Sequence, residues 1–261
     1  MFIDSHCHLN FDCFKGELAL LMHQLTEVNI NKVIVPGTDR NSWAEIIKLA
    51  GDHENIYFTL GIHPHFLSTF DEEHLVLLKS LLMEALSSET NKCVALGEIG
   101  LDKLIDTTPE IQERVFLAQL AIAESLQLPV ILHVVKTQSR ILQLLKQVKF
   151  SYGGVYHAFS GSKEIAQEFI KLGFKLGIGG VITYPGAVKT RSALSKLPLD
   201  SLVLETDAPD MPIYKQLTSH NSPLNIVSIY QNLCDLREEA PQAVAQQLYN
   251  NTKSIFPIID D

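Results

Sequence analysis

The sequence is poor in the features that mark several protein classes. It has four cysteines in 261 residues, Cys7, Cys13, Cys93 and Cys234, and no two stand at a Cys-x-x-Cys spacing. That excludes a disulfide framework and points to a reducing compartment. No apolar run approaches the roughly 18 residues that a bilayer span needs, so no membrane segment is expected. The opening residues, Met-Phe-Ile-Asp-Ser-His-Cys-His, carry neither a basic nor an apolar export segment, and a cytoplasmic protein is expected. Positive charge is also scarce: 21 Lys plus Arg face 30 Asp plus Glu, a formal net charge of -9. A long basic groove for nucleic acid is excluded, because an extended phosphate track relies on many Lys and Arg. There is no Gly-x-Ser-x-Gly elbow. Gly161-Ser162-Lys163 lacks the upstream glycine of a phosphate loop and reads as a helix start, and Gly177-Ile178-Gly179-Gly180 does not complete a dinucleotide fingerprint. No repeat, low-complexity tract or linker divides the chain.

Alternating elements are abundant. With 46% hydrophobic residues the chain can bury a large core without staples. Short Val- and Ile-rich runs at 2–8, 32–37, 56–61, 92–97, 129–132, 154–156, 174–180 and 202–206 read as strands covered on both faces. Amphipathic stretches at 17–28, 42–50, 72–86, 109–126, 137–148, 163–172 and 188–197 read as helices, and two more follow at 223–236 and 242–255. Pro109 suits a first helical turn, where its missing N–H costs nothing. Eight strands each followed by a helix predict a single (β/α)8 TIM barrel as one domain over residues 1–261, with a doubly wound open sheet as the competing arrangement.

In a barrel the strand ends converge on one rim, where active sites are built. Six of the eight strand ends here carry imidazole or carboxylate groups: His6 and His8, His63, Glu98, His133, His157 and Asp207. Residues two apart on a strand point the same way, so His6 and His8 share the barrel mouth while Cys7 faces the helices. Each has an ordinary reading alone. Glu98 can cap a turn, and Asp207 before Ala208-Pro209 can make an Asx-turn. His23, His53, His74 and His220 keep such readings, in helices or loops. Grouped in one mouth, charged side chains are costly without partners, and imidazole with carboxylate favours Zn, Mn, Fe or Ni. His6, His8, Glu98, His133, His157 and Asp207 exceed what one tetrahedral ion takes. Two ions about 3.5–4 Å apart would hold a shared hydroxide and clamp the charge of a displacement reaction.

Several ordered motifs resemble the TatD family of metal-dependent hydrolases and deoxyribonucleases, within the amidohydrolase-like barrels. They are Phe-Ile-Asp-Ser-His-Cys-His at 2–8, Gly-Ile-His-Pro-His at 61–65, Gly-Glu-Ile-Gly-Leu-Asp at 97–102 and Leu-Pro-Val-Ile-Leu-His at 128–133. His-Ala-Phe-Ser-Gly-Ser at 157–162, Leu-Glu-Thr-Asp-Ala-Pro at 204–209 and Asn-Asn-Thr-Lys-Ser-Ile-Phe at 250–256 continue the series. The resemblance implies two divalent ions per chain (Zn, Mg or Mn). His6, His8 and Asp207 would hold one, His133 and His157 the other, with Glu98 bridging. It also implies that Glu205 helps position metal or water, and that His63 faces substrate and donates to a phosphate oxygen.

Two departures lie on the substrate side. Family members usually continue the fifth-strand histidine as His-Ser-Arg, whereas here it is His133-Val134-Val135, with Lys136 next but without the bidentate fork of Arg. The aromatic and Arg pair common after Leu101-Asp102 is replaced by Lys103-Leu104-Ile105. The expected activity is phosphodiester or deoxyribonuclease hydrolysis at nucleic-acid ends. There a metal-bound hydroxide attacks phosphorus, and Asp207 orients it and takes its proton. An amide or lactone hydrolase on the same ions is the alternative, and a non-catalytic metal-binding barrel the third. A monomer without an obligate protein partner is expected.

Overall fold

The structure is a computed structural model that describes residues 1–256. Eight strands form one sheet: β1 (Phe2–Asp4), β2 (Ile30–Pro36), β3 (Ile56–Leu60), β4 (Cys93–Asp102), β5 (Val130–Val135), β6 (Gly154–Tyr156), β7 (Phe174–Ile178) and β8 (Leu202–Leu204). Every strand pairs in parallel with the next. The ring closes where Ser5 N–H donates to the Leu204 carbonyl at 2.9 Å and Asp207 N–H donates to the His6 carbonyl at 2.8 Å. Strand order never reverses, so the sheet is a (β/α)8 barrel and not the doubly wound alternative.

Ten α-helices accompany the strands among the described residues: α1 (Asp12–Lys15), α2 (Leu18–Glu27), α3 (Arg40–Asp52), α4 (Glu72–Leu86), α5 (Pro109–Leu126), α6 (Gln138–Val148), α7 (Lys163–Lys171), α8 (Val188–Leu194), α9 (Ile226–Cys234) and α10 (Pro241–Ile255). Their starts follow from local chemistry. Pro109 opens α5, and the Ser162 side chain accepts the Ile165 N–H at the start of α7. No helix among the described residues is long and apolar enough to cross a membrane.

Strand alternation sorts the apolar residues into two cores. Ile3, Ile34, Tyr57, Ala95, Ile131, Val155 and Val203 fill the barrel, and Phe256 at the end of α10 packs into them. Their neighbours Val33, Val35, Val130, Leu132 and Leu202 turn outward against the helices. Because both faces are covered, these strands read as continuous apolar runs.

Two strands differ from their expected lengths in ways that matter for the mouth. β1 stops at Asp4, and residues 5–8 leave the regular ladder while staying bonded to both neighbours: Cys7 N–H donates to the Ile34 carbonyl and His8 N–H to the Ala208 carbonyl. β4 runs on to Asp102, past the expected end at Gly97, with a register irregularity between Leu96 and Ile99. Gly100 permits the extension. It has φ 156°, and a Cβ there would stand 1.9 Å from the His133 carbonyl oxygen. The longer β4 carries Glu98 and Asp102 alongside β5.

Candidate metal centre

Asp4 ties together the two strand ends that supply half of the expected metal ligands, His6, His8 and Asp207. Its Oδ1 accepts the N–H groups of His6 (3.2 Å) and Thr206 (3.0 Å), and its Oδ2 accepts the Thr206 hydroxyl at 2.6 Å. Burial pushes the Asp4 carboxyl up to about 8 despite these bonds. Asp207 follows with φ 58°, a left-handed conformation that Asp tolerates better than most residues.

Four donor atoms converge beyond this latch. His6 Nε2 lies 3.3 Å from His8 Nε2, 3.4 Å from Glu98 Oε2 and 3.4 Å from Asp207 Oδ1. His8 Nε2 lies 3.5 Å from Asp207 Oδ1 and 3.9 Å from Glu98 Oε2. Donors about 2.1 Å from a central ion at tetrahedral angles stand about 3.4 Å apart, so these atoms fit a divalent cation. A second group gathers on the other oxygen of Glu98. Oε1 is 2.9 Å from His133 Nδ1 and 2.9 Å from His157 Nε2, and those two nitrogens are 3.5 Å apart. The donor set is thus four imidazoles and two carboxylates, which suits borderline divalent ions.

The electrostatics favour ligand-type charge states at Glu98, Asp207 and His6. Burial alone raises Glu98, but the positive potential of His157 and the hydrogen bond from His133 hold it well below the usual carboxylate range. Asp207 is likewise held down by His157, His8 and His6 against the opposing effect of burial. Burial, with repulsion from His157, lowers His6 and keeps its imidazole neutral. His157 is driven well above its ordinary value by Glu98 and Asp207, which outweigh its burial. His6 Nδ1, His8 Nδ1 and His157 Nδ1 are buried without a hydrogen-bond partner.

His63 stands beside the second group, its Nε2 3.4 Å from Glu98 Oε1. Its Nδ1 accepts the His65 N–H at 3.2 Å, and burial pushes its pKa down to about 4. A neutral imidazole that accepts at Nδ1 carries its proton on Nε2. His63 therefore faces the mouth as a hydrogen-bond donor, although Glu98 and His133 lie close enough to complete a donor trio with it.

All six residues expected to hold metal are brought together. Glu205 is placed differently from a group open to the mouth. It is fully buried behind His157, with Oε1 3.6 Å from His157 Nδ1 and accepting the Ala158 N–H at 2.5 Å. Cys7 is buried in the outer core with Sγ 3.6 Å from the Ala208 carbonyl, as alternation requires. His74 caps α4, His23 is exposed on α2, and His220 meets Phe14 edge-on. Three participants were not expected: Asp4, His65 and Asp102. Asp102 had a signal in the sequence, since it stands four residues after Glu98 and shares its side of β4. On the substrate side, exposed Lys103 and Lys136 flank a cavity of about 340 Å³ that begins at Asp102.

A barrel whose mouth gathers two donor groups around one shared carboxylate has the architecture of a metal-dependent hydrolase. The chain belongs to the TatD-related DNase family, whose profile matches residues 3–257. It is 40% identical over 259 residues to the uncharacterized metal-dependent hydrolase YjjV of Escherichia coli K12, covering 98% of each chain. The crystal structure of YjjV superposes with a TM-score of 0.93 at 39% identity, over 99% of this chain and 98% of that one. The 3'-5' ssDNA/RNA exonuclease TatD of Rahnella sp. is 32% identical over 254 residues, 94% of each chain. The protein is a hydrolase that depends on metal.

Proposed function

We propose that this chain hydrolyses phosphodiesters at nucleic-acid ends, using two divalent cations held by His6, His8, Glu98 and Asp207 and by Glu98, His133 and His157. The carrying observation is the division of Glu98, with Oε2 facing His6 and His8 and Oε1 facing His133 and His157. The relative named as an exonuclease on single-stranded DNA and RNA supports the substrate class. Cations bound there supply an acidified water and Lewis-acid stabilisation of phosphoryl charge.

The chain's own residues do the rest. Asp207, held ionised at the rim, accepts the proton of the attacking water and orients it. His63 donates its Nε2–H to a phosphoryl oxygen, and its lowered pKa keeps that donor neutral at working pH. Glu205 orients His157 from behind. The chain is read as one domain over residues 1–261 that acts as a monomer.

One observation favours a second reading, an amide or lactone hydrolase on the same ions. Beyond His133 the strand offers buried Val134, half-buried Val135 and exposed Lys136, and no guanidinium for a phosphate. Metal analysis of the purified protein, with a panel of end-labelled single-stranded DNA, a chromogenic phosphodiester and aryl-ester, amide and lactone substrates, separates the two. Shortening of single strands that requires Mg, Mn or Zn is expected. Acyl turnover with inert phosphodiesters supports the second reading, and inactivity on the whole panel defeats both.

A further inference from the structure

His133 is bonded in two directions. Its Nδ1 stands 2.9 Å from Glu98 Oε1, and its Nε2 stands 3.1 Å from Asp102 Oδ2. The same Asp102 oxygen is 2.9 Å from His65 Nε2, and the other accepts the Leu104 N–H at 2.7 Å. Asp102 is rigidly placed. The Gln112 side chain accepts its N–H at 2.8 Å and donates to its carbonyl at 3.0 Å. His65 Nε2, Asp102 Oδ2 and His133 Nε2 are also close enough to hold an ion. His133 would then bind cations through both nitrogens and keep no proton. Separations of 2.9 and 3.1 Å are those of N–H···O hydrogen bonds, which need no such deprotonation.

We propose that Asp102, backed by His65, is a positioning residue that holds the His133 proton on Nε2 and so reserves the Nδ1 lone pair for a cation. The proposal rests on the reading of His133 as a metal ligand. A neutral imidazole has one N–H and one lone pair, and the other tautomer would aim a proton at the ion. His6 and His8 lack any such partner, since their Nδ1 atoms are buried without a hydrogen bond. The group of Glu98, His133 and His157 is therefore the one whose affinity depends on Asp102.

Asp102→Asn tests this with little change of shape. Its carbonyl oxygen must face the Leu104 N–H, so its NH2 faces His133 Nε2 and opposes a proton there. Zinc titration of the metal-stripped protein against a chromophoric chelator is expected to give two equivalents in the wild type. In Asp102→Asn one equivalent is unchanged and the other is about 10–100-fold weaker. In the zinc-loaded wild type, the His133 Nε2–H gives a slowly exchanging, downfield proton resonance. That signal needs no variant, so the proposal stays testable if Asp102→Asn does not fold. Its absence, or two equivalents in Asp102→Asn within threefold of wild type, overturns the proposal. A His133→Ala protein that keeps both equivalents overturns the ligand reading instead.

Discussion

Gly177→Ala measures how tightly the layer behind the donors is built. A Cβ at position 177 would stand 2.1 Å from Glu205 Oε2 and 2.6 Å from Oε1, well inside contact distance. A carboxylate at the end of a flexible side chain normally swings aside, but Glu205 is fully buried and accepts the Ala158 N–H at 2.5 Å. It cannot reach water, so the added methyl either breaks that bond or strains the wall of β7. An unpaired buried N–H costs about 1–3 kcal/mol, and an overpacked methyl costs about 1–3 kcal/mol. Either outcome costs about 2 kcal/mol, and at about 2–4 °C per kcal/mol the melting temperature falls by roughly 6 °C. Denaturant unfolding of chelator-treated protein is the appropriate assay, because bound metal would add its own linkage. The double variant Gly177→Ala/Glu205→Ala sharpens it. Glu205→Ala alone is expected to cost about 2–4 kcal/mol, and the methyl then enters the vacated space at almost no further cost. A loss below about 1 kcal/mol for Gly177→Ala, or additive losses in the double variant, would refute the reasoning.

Three further outcomes are expected. Glu98→Ala removes the carboxylate shared by both donor groups, so metal content falls from two equivalents to at most one and turnover drops roughly a thousandfold. Unchanged activity would leave the barrel without the proposed chemistry. His63→Ala lowers kcat roughly a hundredfold while both metal equivalents remain. Because burial holds His63 at about 4, its removal leaves the pH profile above pH 5 unchanged, and a lost metal equivalent would show it to be a ligand. Far from the mouth, the Arg237 guanidinium holds the Glu239 carboxyl down at about 2. The folded pKa is depressed, so the stabilisation is present above the unfolded value of 4.5 and is lost as pH falls towards 2. The stability gap between wild type and Glu239→Gln should shrink between pH 6 and pH 3, and a gap independent of pH would contradict the pair's contribution.

Much of the barrel is legible in one dimension. Continuous Val- and Ile-rich runs report strands covered on both faces, and a Pro such as Pro109 or a cap such as Ser162 marks where helices begin. Boundaries were less legible where local pattern and closure compete. Residues 5–8 continue an apolar-and-histidine alternation, yet they leave the ladder to bond with the ends of β2 and β8. Gly97 looks like a strand end, yet β4 continues because Gly100 lets its backbone pass the His133 carbonyl.

For the site, the sequence alone determined the cast. The rule that strand ends meet on one rim selects His6, His8, His63, Glu98, His133, His157 and Asp207 as candidates, because it needs only strand order and alternation. The tertiary structure decided the relations among them. It divided Glu98 between two donor groups, set Glu205 behind His157, turned the His63 proton towards the mouth and placed Asp102 against His133. The reason is geometric. Periodicity reports which face a side chain occupies, but bonds of about 3 Å between residues tens to hundreds of positions apart depend on how the ring closes. The Asp4–Thr206 latch joins β8 to β1 and Gly100 lets β4 pass close to β5, and periodicity reports neither contact.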